Sequence, residues 1–280
     1  LRHALTGVFR AALLICIPVV LLGCAQAVDR RLEVPADQVT RAAVPGVPLI
    51  KQADFHCGPA SLAMVMQWSG LDVTQSEIAA QSFSPGAEGT YLADMLGSAR
   101  RRGQLAVPVT GFQNLLDEIA AGHPVIVFQN LGLNFALKWH YAVAVGYDLE
   151  ARRIILHSGE LDRMVMPLRL FERTWRRGDY WALVVLPPGE LPAAAGEWDV
   201  LRAAEALERA GQLRAAQEAY AAGAARWPDH WLWQFGLGNT RYGRGDLQGA
   251  RRAFLWARRL APDVPEIRQN LAQVNRELGV

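Results

Sequence analysis

The chain has 280 residues, 51% of them hydrophobic and 20% charged, with a formal net charge of +2. That length and apolar content allow one substantial core with a smaller unit beside it, or two modest domains, and argue against disorder. Beyond Arg2 and Arg10, which lie in the first 23 residues, 27 basic side chains balance 27 acidic ones, so no charge excess favours nucleic acid or another polyanion as a partner.

In chain order, residues 1–24 read LRHALTGVFRAALLICIPVVLLGC: Arg2, His3 and Arg10 precede an unbroken apolar run from Ala11 to Leu22. The run is short for a transmembrane helix and has the layout of a secretory signal. Its ending, LLGC, resembles a bacterial lipobox. The resemblance implies a signal peptide over residues 1–23 and lipidation of Cys24. It also implies a lipid-anchored membrane protein of the bacterial cell envelope, facing the periplasm or exterior; a signal anchor left uncleaved is the alternative. No later stretch is long enough to span a bilayer. Cys16 falls within the apolar run and Cys24 at the lipid site, which leaves Cys57 with no cysteine to pair with. Without a CxxC or a Cys/His cluster there is no metal site to expect either.

Residues 24–46 are polar and proline-punctuated, as a tether is, and the folded body is expected from residue 47. VPLIKQ reads as a short extended segment leading into DFHCGPASLAM. Gly58-Pro59 puts a proline in a first helical turn, and ASLAMVMQW continues as a helix apolar on nearly every side until Ser69-Gly70. This is a buried central helix with Cys57 at its N-terminus. Unpaired helix N–H groups there stabilise a thiolate, the reactive form. Position alone makes Cys57 a candidate nucleophile beside the plainer reading of a packed thiol.

Thr74 and Glu77 form a capping-box signature ahead of a short helix, and a second short helix runs from Thr90 to Gly103. The character then changes. QLAVPV is strand-like, FQNLLDEIAAG is helical, and HPVIVFQN, KWHYAVAVGYD and RRIILHSG are strands, the last two joined by a hairpin turn at DLEA. LRLFERTWRRG and DYWALVVLP add a helix and a final strand. Helices followed by a mostly antiparallel sheet make an α+β domain over residues 47–186. A nucleophilic cysteine needs a base distant in sequence, and His140, at the start of the strand HYAVAVGYD, is the best placed.

Residues 187–196, PPGELPAAAG, have linker composition, and no strand signal follows. Gly211 and Gly245, Leu213 and Leu247, Ala216 and Ala250, Tyr220 and Phe254, and Pro228 and Pro262 are each 34 residues apart. That period and those identities resemble the tetratricopeptide repeat. The resemblance implies an all-α unit over residues 197–280, with two repeats and a capping helix, leaning on the first domain and recruiting a protein partner.

QADFHCGPASLAM together with WHYAVAVGYD resembles the C39 and C39-like cysteine peptidases, a papain-like fold. The resemblance implies a peptide or protein substrate, Cys57 as nucleophile, His140 as general base and later acid, and Gln52 as an oxyanion donor. The third member is where this chain departs from the pattern. ILHSG puts His157 where the family has Asp or Asn, so His157 is expected to orient His140 without contributing a negative charge. Asp148 lies too far along the hairpin, and Asp162 is the substitute. The chain has no G-x4-G-K-S/T loop, so ATP is not expected, nor any other cofactor. A catalytically weak or inactive peptide-binding module, and acyl transfer to an amine, are the alternatives to hydrolysis.

Overall fold

The computed structural model describes residues 38–132 and 135–280, so the expected signal sequence, Cys24 and tether residues 24–37 lie outside the described residues. Helix α1 (Cys57–Trp68) is buried from Gly58 to Met66, as an all-round apolar helix must be. Gly70, at φ 86°, stops the chain just beyond it. Helix α2 (Gln75–Ser82) opens on the expected capping box: Glu77 N donates to Thr74 Oγ1 at 3.2 Å, and Thr74 N donates to Glu77 Oε2 at 2.7 Å. Helix α3 (Leu92–Arg101) completes the helical first half.

The strands are β1 (Arg41–Ala43), β2 (Leu105–Thr110), β3 (Val125–Asn130), β4 (Trp139–Asp148), β5 (Arg153–Ser158), β6 (Leu161–Pro167) and β7 (Trp181–Leu186). They form an antiparallel sheet in the order β2-β7-β3-β4-β5-β6. Pro108, which has no N–H to donate, is tolerated because β2 is an edge strand. Ile126, Tyr141, Val143, Val145, Leu183 and Val185 form one core with Leu62, Val65 and Met66 of α1. Helix α4 (Phe112–Ala120) joins β2 to β3, and α5 (Leu168–Arg176) lies on the face opposite α1, where Gln129 donates to Thr174 Oγ1 at 2.7 Å.

Two expectations are corrected here. The folded body begins before residue 47: β1 pairs with β4, Arg41 opposite Asp148, and Val44 N donates to Val145 O at 2.8 Å. A three-residue strand carries too little pattern to be read from sequence. Strand β6 is also added to the expected set; its outer position exposes both faces, so it lacks the apolar alternation that marks a half-buried strand.

Beyond residue 196 the chain is all helix: α6 (Glu197–Arg209), α7 (Leu213–Arg226), α8 (Trp231–Gly243), α9 (Leu247–Leu260) and α10 (Pro265–Leu278). Gly211 and Gly245 take matching left-handed turns, at φ 75° and 83°. A methyl on Gly238 would lie 2.4 Å from the Phe254 ring, and one on Gly236 2.3 Å from Tyr220. Gly238→Leu is therefore expected to cost about 3 kcal/mol by overpacking, read as a lower midpoint in thermal unfolding.

Residues 187–196 are less free than their composition suggests. Arg226 Nη1 donates to Pro192 O at 2.5 Å and its Nη2 to Ala193 O at 3.1 Å, while Ala194 N donates to Glu118 Oε1 at 2.8 Å. Gln212 Nε2 also reaches Arg101 O at 2.9 Å, and residues 40–280 form one compact unit.

Candidate active site

Helix α1 begins at Cys57 with no side chain capping it. Its first amides are therefore available to the sulfur: the N–H groups of Cys57 and Gly58, with Tyr141 N–H from β4, all favour the thiolate. Burial acts more strongly in the other direction and leaves the thiol pKa above its ordinary value. Gly58 is required by close approach, since a Cβ there would lie 2.9 Å from Thr90 Cβ. The preceding loop holds Phe55 at φ 61°, a left-handed conformation that is unfavourable for an aromatic residue.

Tyr141 follows His140 directly, so the main chain that donates to the sulfur also carries the imidazole. His140 is 8% exposed. Burial first, and the Lys138 charge second, push its pKa down to about 4. Near pH 7 the ring is neutral, the protonation state of a base. Its Nε2 lies 2.9 Å from Ser158 Oγ. Because the unfolded ring protonates near pH 6.5 and the folded ring only near 4, the folded state loses stability as pH falls through that window. The wild type is expected to lose about 3 kcal/mol more than His140→Gln between pH 7 and pH 4, measured by urea unfolding.

His157 does not join this arrangement. Its Nε2 donates to Val47 O at 3.1 Å, and its Nδ1 faces Arg163 N at 3.2 Å and the Asp162 carboxylate at 3.0 Å. The reason is register. Near the hairpin turn Asp148 pairs with Arg153 and Gly146 with Ile155, but a bulge between Ala144 and Gly146 shifts the pairing, and His157 stands opposite Val143. It thus shares the face of Tyr141 and Val143. Ser158, one residue on, shares the face of His140. Asp162, the substitute third member, is engaged with His157 instead.

Gln52 is half-buried in the extended segment before the Cys57 loop. With its amide turned to satisfy both partners, Gln75 grips that segment on either side of Gln52, its nitrogen 3.1 Å from Lys51 O and its oxygen 3.1 Å from Ala53 N. His56 stacks on Phe83 with ring centroids 4.6 Å apart, lining a depression of about 410 Å³. A second cavity, of about 260 Å³, takes in Cys57, residues 87–91, and the aromatic wall Phe128, Trp139 and Tyr141. Trp139 is 45% exposed and stacks on Phe128 at 4.9 Å. Among the described residues no group of three or more His, Cys, Asp or Glu is placed to hold a metal ion, and no helix is long and apolar enough to cross a membrane.

Residues 44–178 match the model of the Peptidase_C39 like family, so this segment is similar to C39-like peptidase domains. Three solved structures resemble it. A Bacillus anthracis protein assigned to the C39-like peptidases is 21% identical, with a TM-score of 0.45, over 52% of this chain and 97% of that one. A double glycine motif protease from an AMS/PCAT transporter, solved with its leader peptide, is 22% identical, with a TM-score of 0.42, over 52% and 95%. The peptidase domain of Streptococcus ComA, a bifunctional ABC transporter of a quorum-sensing pathway, is 21% identical, with a TM-score of 0.43, over 51% and 99%. No curated protein matches the chain.

Proposed function

We propose that the protein is a cysteine peptidase held at the bacterial cell envelope by a lipid on Cys24, facing the periplasm or exterior. The observation that carries this reading is the convergence of three backbone N–H groups on the Cys57 sulfur, one of them from the residue next to a neutral, buried His140. In the proposed reaction His140 Nδ1 takes the thiol proton and the sulfur attacks the peptide carbonyl carbon. The oxygen that becomes negative is held by Cys57 N–H and the Gln52 amide. His140 then passes its proton to the departing amine, the C–N bond breaks, and water activated by His140 hydrolyses the thioester. No ATP, metal or other cofactor enters the reaction.

The test is digestion of a mixed peptide library by the full chain, read by mass spectrometry for new amine termini. Cleavage is expected, and stoichiometric alkylation of Cys57 should silence it. No cleavage, or cleavage that survives alkylation, overturns the reading. The aromatic wall beside Cys57 fits an apolar side chain flanking the scissile bond. Trp139→Ala is expected to raise KM roughly tenfold with kcat little changed, the loss of about 1.4 kcal/mol of binding.

In the same proposal, α6 to α9 are two tetratricopeptide repeats and α10 their cap, recruiting a protein partner. The groove of about 470 Å³ among α6, α7 and α8, with Trp198, Leu201 and Phe235 on its walls, supports this reading. A second function, a peptide-binding module without catalysis, is favoured by one observation: the partner of His140 Nε2 is the neutral hydroxyl of Ser158.

A further inference from the structure

We propose that Ser158 is the positioning residue of this site, filling with a hydroxyl the place expected of His157; the inference rests on the peptidase reading above. Ser158 Oγ is 2.9 Å from His140 Nε2. Of the two residues that end β5, Ser158 alone faces His140, because the bulge at Ala144/Gly146 turns His157 to the other side of the sheet. In the proposed arrangement Nε2–H donates to the Ser158 hydroxyl oxygen, which holds the ring in the tautomer whose Nδ1 carries the lone pair. When Nδ1 gains the thiol proton, Nε2–H keeps donating to the same oxygen, so the ring holds its orientation through the transfer. Unlike a carboxylate, the hydroxyl brings no charge to stabilise the imidazolium. The site therefore works from a neutral thiol and a neutral imidazole, with no standing ion pair.

The experiment compares the full-length wild type with Ser158→Ala and Ser158→Asn by long-range 1H–15N correlation on the His140 ring and by steady-state hydrolysis of a cleaved library peptide. The wild type should show a single Nε2–H tautomer. Ser158→Ala should show mixed tautomers and a kcat about tenfold lower with KM unmoved, and Ser158→Asn, whose side-chain oxygen also accepts, should recover both. Tautomer populations unchanged in Ser158→Ala, or equal impairment in both variants, overturns the proposal. If no peptide is cleaved yet the tautomer responds to Ser158→Ala and is restored by Asn, Ser158 stands as the positioning residue and the peptidase reading falls.

Discussion

Cys57→Ala is expected to lower peptide hydrolysis at least a thousandfold, leaving substrate affinity within a few-fold of wild type. In the proposed mechanism the sulfur is the atom that forms the acyl intermediate, while the aromatic cavity proposed to seat the peptide is left in place by its removal. The same side-chain chemistry sets the pH dependence. Burial holds the thiol above its ordinary pKa, and burial with Lys138 holds His140 at about 4. Over neutral pH both groups are therefore uncharged, and the reactive thiolate grows as pH rises. Both the hydrolysis rate and the rate of Cys57 alkylation by iodoacetamide should climb from pH 6 to pH 9. A low-pH plateau in alkylation would reveal a thiolate–imidazolium pair and contradict the neutral resting state. Hydrolysis by Cys57→Ala at the wild-type rate would contradict the mechanism as a whole.

Some parts of this site were legible in sequence because their causes are local. A glycine-proline step, an all-round apolar run and a stop at Ser69-Gly70 define α1 and put Cys57 at its end; the alternation around His140 defines β4. The partner of His140 Nε2 was not legible, because it depends on strand phase. Counted from the hairpin turn without a bulge, the pairing that sets Asp148 against Arg153 puts His157 opposite Ala144, on the same face as His140. The extra residue in β4 reverses that, and nothing local to ILHSG announces it. Strand β1 and the held linker escaped for a related reason: their partners, Gly146 to Asp148 in one case and Glu118 and Arg226 in the other, are remote in the chain.

Glu118→Ala is expected to cost the fold about 3 kcal/mol, because the side chain is fully buried and both its oxygens are engaged. Oε2 lies 2.6 Å from His123 Nδ1, and Oε1 accepts from Ala194 N at 2.8 Å. Truncation leaves two part-buried donors without these partners and a cavity where the carboxylate was, and it frees one side of the segment that Arg226 holds from the other. For a unit of this size the loss corresponds to roughly 6–12 °C in Tm. A second readout separates general destabilisation from release of the joint: well below Tm, residues 187–196 should become the preferred site of limited proteolysis in Glu118→Ala and stay protected in Gly238→Leu, whose defect lies between α8 and α9. Equal protection of the segment in both variants would mean that Arg226 alone holds the joint. Cleavage confined to Glu118→Ala would assign a side chain of the α+β domain the task of fixing where the helices begin.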